Sequence, residues 1–245
     1  MSVVAELVLV RHGLSASNVA FPAADARGLL ESGLTGRDAD VELTDTGRRQ
    51  AAAVGKWLAE LPADRRPEVV ITSPYRRARE TWRLAAEASG LDLPAPVTDD
   101  RLVDRRLGDL EMMTRAAIAQ RFPDEEARRA EAGDHHYRPP GGESFADIEV
   151  RLAAFLADLN SAYAGRRVIV VAHDAVVLMM RAVIEELDWD GVVRVSTGES
   201  VRNGSITRFD GRSGRLVLDR YNAVDHLPDD PAAPPDQAAP PDPAA

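Results

Sequence analysis

The chain has 245 residues, 44% of them hydrophobic and 29% charged, a composition typical of a soluble globular protein with a substantial core. Its formal net charge of −10 argues against a general nucleic-acid binder, and no stretch approaches the roughly 18 apolar residues of a membrane span. It has no cysteine, which excludes disulfides, thiolate metal ligands and a cysteine nucleophile.

Three short apolar runs are predicted to be strands, and four helical patterns lie between or after them. The strands are Leu7–Val10, Glu68–Thr72 and Val168–Ala172, and the helices are Asp45–Leu61, Arg76–Ala88, Ser144–Leu159 and Ala175–Leu187. Continuous apolar runs of this length are typical of central strands in a parallel sheet. Strands that alternate with helices predict an α/β fold, here a three-layer α/β/α sandwich with a mostly parallel central sheet.

Two of the helices begin with capping signals. Thr44 is of the residue type that caps a helix, and it directly precedes the first helical pattern. Ser144 begins the third, and Asp147 follows three residues later, which is close to a capping box. These signals predict where both helices start.

The C-terminal part of the chain divides into a hairpin and a tail. The runs 204–209 and 215–218 flank Asp210-Gly211, which predicts an antiparallel hairpin at the sheet edge. From Pro228 the sequence reads P-D-D-P-A-A-P-P-D-Q-A-A-P-P-D-P-A-A, with no large apolar side chain to offset the entropy of ordering. We therefore expect one folded domain over residues 1–227 and a disordered tail over residues 228–245.

Side chains with catalytic potential follow each of the three predicted strands. Arg11-His12-Gly13 follows the first, Ser73-Pro74-Tyr75-Arg76-Arg77 the second, and His173-Asp174 the third. In open α/β sheets, ligands bind outside the carboxyl ends of the strands. Two histidines and several arginines are therefore expected to meet at one edge of the sheet.

This set of side chains suits phosphoryl transfer. A neutral imidazole can attack phosphorus as a nucleophile, and arginines offer forked donors that match phosphate oxygens. A second histidine, if cationic, can stabilise the group in transfer, and Gly13 lets the backbone approach a ligand closely. Because arginine and histidine supply the positive charge, we expect neither a metal nor another cofactor.

The same residues resemble a known signature. The matching segments are R-H-G-x-S-x-x-N at Arg11–Asn18, L-T-x-x-G at Leu43–Gly47, S-x-x-x-R-A-x-x-T at Ser73–Thr81, G-G-E-S at Gly141–Ser144 and V-V-A-H at Val170–His173. In this order they are similar to the motifs of the histidine phosphatase superfamily, also called phosphoglycerate mutase-like. The resemblance covers about residues 5–210 and implies that fold and a metal-independent phosphoric monoester hydrolase for a small phosphorylated metabolite.

The resemblance also implies a role for each matching residue. His12 would be the nucleophile that becomes phosphohistidine. The residues implied to bind the transferring phosphate are Arg11, Ser15, Asn18, Arg77 and His173. The positions of the same histidines and arginines at the strand ends independently indicate the same tasks.

A general acid must protonate the leaving alcohol, and several carboxylates are candidates. The family has a glutamate in L-x-E-x-x-x-G, and Leu102–Gly108 places Asp104, one methylene shorter, at that position. Glu111 and Asp174 remain alternatives, and Asp104 could instead form an ion pair with a neighbouring arginine. Glu143, just before a helix cap, either faces the helix dipole or, as the family implies, supports the second histidine and the substrate site.

The segment before the third helix favours one branch of the family and a changed substrate. Residues 121–145 are similar to the bisphosphatase domain of fructose-2,6-bisphosphate metabolism and to bacterial broad-specificity relatives. That domain binds the sugar and its remote phosphate through four positions. In this chain those positions are Asp134, Phe145, Asp174 and Leu178. Two cationic donors are lost and two carboxylates gained, which predicts a smaller or less charged phosphomonoester. His135-His136 is interpreted as a polar loop and not as a metal site, because no carboxylate spacing completes a familiar ligand set.

Other functions stay open at this stage. A phosphoglycerate-mutase-type phosphotransferase is one, although Leu14, Ser17 and Asp104 depart from the mutase pattern. A fructose-2,6-bisphosphatase and a non-catalytic phospho-ligand binding protein are the others. We expect a small-molecule substrate, no nucleic-acid or membrane partner, and a monomer or homodimer. The absence of cysteine and of a visible secretory signal favours the cytoplasm, and the Ala/Arg/Asp/Pro-rich composition favours a bacterial source.

Overall fold

The structure, a computed structural model, describes residues 3–228, and its centre is a six-stranded sheet. The strands are β1 (Glu6–Arg11), β2 (Val69–Thr72), β3 (Val97–Thr98), β4 (Arg167–Ala172), β5 (Ile206–Asp210) and β6 (Val217–Ala223). They lie in the order β3-β2-β4-β1-β5-β6, with the first four parallel. β5 runs antiparallel to β1, and β6 runs antiparallel to β5. The predicted mostly parallel sheet with an antiparallel edge is confirmed.

Helices cover both faces of this sheet. The helices of the described chain are α1 (Ala16–Asp25), α2 (Asp45–Glu60), α3 (Arg76–Ser89), α4 (Arg115–Arg121), α5 (Glu125–His136), α6 (Phe145–Ala162), α7 (Asp174–Glu185) and α8 (Trp189–Gly198). Side chains of successive strand residues point to opposite faces. Accordingly Leu7 and Leu9 pack with α6 and α7, whereas Val8 and Val10 pack with α2 and α3. The three layers of the predicted sandwich follow from this alternation.

The predicted strands and helices are present, with shifts of a few residues at their ends. Thr44 accepts a hydrogen bond from the N–H of Gly47, and Ser144 forms a capping box with Asp147, as predicted. His135-His136 ends α5 and is not an open loop, although Gly133 just before it has a left-handed φ of 71° that breaks the helical path. Residues 229–245 of the predicted tail lie outside the described residues. In the part of the chain that is described, no helix is long and apolar enough to cross a membrane.

Two glycines allow the loop after β1 to cross the start of α2. A Cβ on Gly13 would lie 2.3 Å from the carbonyl oxygen of Gly47, and a Cβ on Gly47 would lie 2.1 Å from that of Leu14. Both contacts involve backbone, which cannot rotate away. This crossing fixes the loop that carries His12, and the loop is further held by the Gly13 N–H, which donates to Thr81 Oγ1 at 3.1 Å.

We expect Gly47→Ala to lower the free energy of unfolding by about 1–3 kcal/mol, the usual cost of overpacking a tight contact. Urea denaturation of the purified variant measures it. Gly198→Ala is the matched control, because Gly198 also lies in a helix but no atom stands within 4 Å of its added Cβ. Equal stability of both variants would contradict the tight crossing.

Candidate active site

The carboxyl ends of three neighbouring parallel strands bring the predicted residues together. Arg11 at the end of β1 pairs with Ala172 of β4, and Thr72 at the end of β2 pairs with Val171. The residues that follow are therefore adjacent, and the ring centroids of His12 and His173 lie 5.2 Å apart. Both rings are buried, as is Arg77 at the start of α3. The structure brings His12, His173 and Arg77 together, as the strand ends predict.

The hydrogen bonds of His12 define its tautomer. Nδ1 lies 2.7 Å from the carbonyl oxygen of Gly13, which can only accept, so Nδ1 carries the proton. Nε2 then has a free electron pair and accepts a hydrogen bond from Arg77 Nε at 3.1 Å. Burial lowers the pKa of His12 well below its usual value, and the nearby charges of Arg77, His173 and Arg11 lower it further. His12 is thus a neutral imidazole with its nucleophilic nitrogen directed at an arginine.

Arg77 is the centre of the charge network. Its Nη1 and Nη2 donate to the two carboxylate oxygens of Asp38 at 3.0 Å each, and Nη2 also donates to Asp104 Oδ2 at 2.9 Å. Burial opposes the charge of Arg77, but Asp104 and Asp38 outweigh it and raise its pKa. Burial in turn raises the pKa of Asp38, against the effect of Arg77. The guanidinium is a permanently charged group held in one orientation.

His173 lies between a hydroxyl and a carboxylate. Its Nε2 is 2.8 Å from Ser73 Oγ, and its Nδ1 is 3.3 Å from Asp104 Oδ2. Burial, with Arg77 and Arg11 adding to it, lowers the pKa of His173 well below its usual value. Burial and the two arginines thus favour the neutral form of the ring. A phosphate dianion beside it would favour the protonated form.

The remaining phosphate-site candidates lie around the His12 loop. Arg11 donates from Nη1 to the carbonyl oxygen of Val201 at 2.5 Å and forms an ion pair with Asp174 at 3.4 Å. Ser15 caps α1 and forms a capping box with Asn18. Asn18 Oδ1 accepts from the Ser15 N–H at 3.2 Å, so the nitrogen of its side-chain amide is the group available as a donor to an anion.

The four carboxylates proposed from the sequence occupy different positions. Asp104 reaches Arg77 and His173 directly, whereas Asp174 contacts Arg11. The other two, Glu111 and Glu143, do not contact Arg77 or His173 directly. Glu111 Oε1 accepts from the backbone N–H of Asp38 at 2.9 Å, and Glu143 Oε1 accepts from Arg151 Nε at 3.1 Å.

Arg151 links Glu143 to the segment that carries Asp104. Its Nη1 donates to the carbonyl oxygen of Arg101 at 2.5 Å, and its Nη2 donates to those of Val103 at 2.9 Å and Asp104 at 3.4 Å. Both ends of the Glu143–Arg151 pair are 13% exposed. The structure therefore links Glu143 through Arg151 to the segment that carries Asp104, with no direct bond to the second histidine.

Three residues of the site were missed from the sequence. Asp38 has no pattern that indicates it, since its contact with Arg77 spans 39 positions. Arg151 had a signal: it falls between Ile148 and Leu152, at the spacing of the buried face of α6. Tyr75 lies 5.1 Å from the His173 ring and 5.0 Å from the Arg77 guanidinium. Burial, aided by Asp38 and Asp104, raises the pKa of Tyr75 to about 12, so it keeps its proton.

A histidine with an unprotonated Nε2, two arginines and a carboxylate in close contact are groups that phosphoryl transfer can use. Among residues 3–228, no group of three or more His, Cys, Asp or Glu side chains has an arrangement that could hold a metal ion.

Comparisons with known proteins agree with this geometry. The family model "Histidine phosphatase superfamily (branch 1)" matches residues 7–224. The chain is 34% identical over 185 residues to a 2,3-bisphosphoglycerate-dependent phosphoglycerate mutase of Gloeobacter violaceus, covering 74% of this chain and 75% of that protein. It is 30% identical over 243 residues to a glucosyl-3-phosphoglycerate phosphatase of Mycolicibacterium vanbaalenii, covering 93% and 98%. The native structure of a mycobacterial glucosyl-3-phosphoglycerate phosphatase superposes with a TM-score of 0.68 at 29% identity, covering 89% of this chain and 99% of that one.

The family model spans nearly the whole described chain. The chain therefore belongs to the histidine phosphatase superfamily and is a phosphoric monoester hydrolase.

Proposed function

We propose that the enzyme hydrolyses a small phosphomonoester in two steps through a phosphohistidine at His12, with no metal. The observation that carries this proposal is the tautomer of His12, whose unprotonated Nε2 faces Arg77 Nε at 3.1 Å. A phosphate bound by Arg77, Arg11 and His173 would bring its phosphorus to that nitrogen. The nucleophile and the charges that stabilise the transferring group then occupy one rigid site.

In the first step, His12 Nε2 forms a bond to phosphorus while the bond from phosphorus to the alcohol oxygen breaks. In the substrate complex from which this step starts, Asp104 carries a proton in place of its ion pair with Arg77. The alcohol oxygen takes that proton, and the Gly13 carbonyl oxygen keeps accepting from Nδ1–H. In the second step, Asp104 takes a proton from water, the water oxygen attacks phosphorus, and the bond to Nε2 breaks. Inorganic phosphate leaves, and both residues return to their starting forms.

The charges around the site support a substrate with one phosphate. Asp38 and Asp104 contact Arg77, and Asp174 contacts Arg11, so carboxylates surround the two arginines. Asp134, where the fructose-2,6-bisphosphatase domain has a cation, pairs with Arg129. A second phosphate on the substrate would meet these carboxylates. We propose a substrate smaller or less charged than a sugar bisphosphate.

The setting is part of the same proposal. A bacterial, cytoplasmic enzyme acting as a monomer or homodimer on a small metabolite, with no nucleic-acid or membrane partner, fits the acidic chain without cysteine.

The test is phosphate release by the wild-type enzyme from a panel of phosphomonoesters in the presence of EDTA. We expect release from p-nitrophenyl phosphate and from at least one sugar or polyol monophosphate, at rates unchanged by EDTA. Movement of phosphate between two positions of a glycerate phosphate, without release, would favour the mutase alternative. No release from any substrate would contradict the proposal.

Glu143→Gln is expected to lower kcat for an alkyl phosphate about tenfold and to change kcat for p-nitrophenyl phosphate by less than about twofold. A small displacement of Asp104 slows only the substrate whose leaving group needs a proton. The reason is that Glu143 holds Arg151, and Arg151 holds the backbone of Asp104. Glu149→Gln is the control, because Glu149 lies in α6 with Arg151 but contacts His135 instead. Equal losses on both substrates would mean that Glu143 has only a general structural role.

A further inference from the structure

Asp38 accepts hydrogen bonds from Arg77, the arginine that the proposed function assigns to the substrate phosphate. Its two carboxylate oxygens accept from Arg77 Nη1 and Nη2 at 3.0 Å each, a parallel two-bond pairing. Its backbone carbonyl oxygen accepts from Nη1 at 2.7 Å. Phosphate oxygens use the same fork of the guanidinium. Asp38 is therefore positioned as an internal substitute for the phosphate.

The hydrogen bonds of Arg77 show how complete this occupation is. A guanidinium has five N–H donors. One of the Arg77 donors meets His12 Nε2, one meets Asp104 Oδ2, and the others meet Asp38 O, Oδ1 and Oδ2. Every donor is engaged, and Asp38 takes more of them than any other residue. A phosphate oxygen can gain a bond to Arg77 only by displacing one of these acceptors.

Asp38 is also held in place from its other side. It begins a short 3-10 turn, Asp38–Asp40, and its N–H donates to Glu111 Oε1 at 2.9 Å. Its side chain is 24% exposed, whereas that of Arg77 is 3% exposed. Asp38 thus lies closer to solvent than the arginine that it contacts.

We propose that Asp38 competes with the substrate phosphate for Arg77 and so sets the affinity of the site for phosphate. This inference rests on the proposed function only in assigning Arg77 to phosphate. When a competing contact must break before phosphate binds, the apparent affinity for phosphate equals the intrinsic affinity multiplied by the fraction of molecules in which that contact is broken. Asp38 weakens the hold on inorganic phosphate, which favours product release, and it disfavours simple anions that have no further contacts to offer.

The first experiment measures the binding of inorganic phosphate by calorimetry to the wild type, Asp38→Asn and Asp40→Asn. We expect Asp38→Asn to bind phosphate about tenfold more tightly, the effect of removing one charged hydrogen-bonded competitor. Asp40→Asn is the matched control, because Asp40 ends the same turn but pairs with the exposed Arg37. Unchanged or weaker binding by Asp38→Asn would overturn the proposal.

A second variant and a crystal structure test the same proposal without relying on Asp38→Asn being folded. Glu111→Ala removes the acceptor of the Asp38 N–H and should also tighten phosphate binding, by a smaller factor. A crystal structure of the wild type with phosphate should show Asp38 turned away from Arg77. A structure in which phosphate binds while Asp38 keeps both bonds would overturn the proposal.

The two hypotheses fail in different ways. If the wild type hydrolyses phosphomonoesters but Asp38→Asn binds phosphate no better, the competition is wrong and the phosphatase stands. If the wild type releases no phosphate but Asp38→Asn still binds it about tenfold more tightly, the competition stands and the hydrolytic mechanism falls.

Discussion

His12→Ala is expected to lower phosphate release from every phosphomonoester by a factor on the order of 10⁴, since it removes the nucleophile on which both steps depend. The loss should be the same for good and poor leaving groups, because no other group in the site replaces the attacking nitrogen. Steady-state kcat with p-nitrophenyl phosphate and with a sugar phosphate measures it. Because the His12 ring packs against His173, circular dichroism should first establish that the variant is folded.

The control for this loss is His136→Ala, which removes an exposed histidine at the end of α5. Its kcat should equal that of the wild type. A His12→Ala enzyme that keeps more than about a tenth of the wild-type rate would show that another nucleophile attacks phosphorus.

Asp104→Asn is expected to lower kcat for alkyl phosphates by about 10²–10⁴, the range for loss of a general acid. Asparagine can keep the oxygen that accepts from Arg77 Nη2 at 2.9 Å but has no proton to give to the leaving oxygen. p-Nitrophenolate leaves without protonation, so the rate with p-nitrophenyl phosphate should change by less than about tenfold. The measurement is the ratio of the two kcat values in variant and wild type.

The other carboxylates serve as controls for this assignment. Glu111 contacts the backbone of Asp38, and Asp174 contacts Arg11. Neither Glu111→Gln nor Asp174→Asn should produce a loss that depends on the leaving group. If either does so while Asp104→Asn behaves like the wild type, that residue is the acid.

The parts of the fold that were predicted are those encoded by local pattern. The runs around Val8 and Val170 are continuously apolar because α2 and α3 cover one face of the sheet while α6 and α7 cover the other. The starts of α2 and α6 were predicted because a hydroxyl cap is a contact between residues three apart. By contrast, α1 carries an internal Pro22 and β3 has two residues, so neither offers a clear pattern.

The candidate site was predicted in part for the same reason. His12, Arg77 and His173 follow strand ends, and parallel strands bring their ends together whatever the rest of the chain does. Asp38 lies in an irregular segment, and only the tertiary structure places it on Arg77. The resemblance of G-G-E-S to the family motif indicated that Glu143 matters. Its contact with Arg151 needed the structure, because it depends on how the loop before α6 turns back.

Identification of the residue that is phosphorylated during turnover tests the phosphohistidine mechanism directly. The enzyme is mixed with a ³²P-labelled phosphomonoester, quenched within milliseconds in alkali, where phosphohistidine is stable, and digested for mass spectrometry. The account predicts a phosphoryl group on the peptide that contains His12, lost on acid treatment and absent in His12→Ala. A wild-type enzyme that turns over the same substrate with no label on His12, or with the label on another residue, would contradict it.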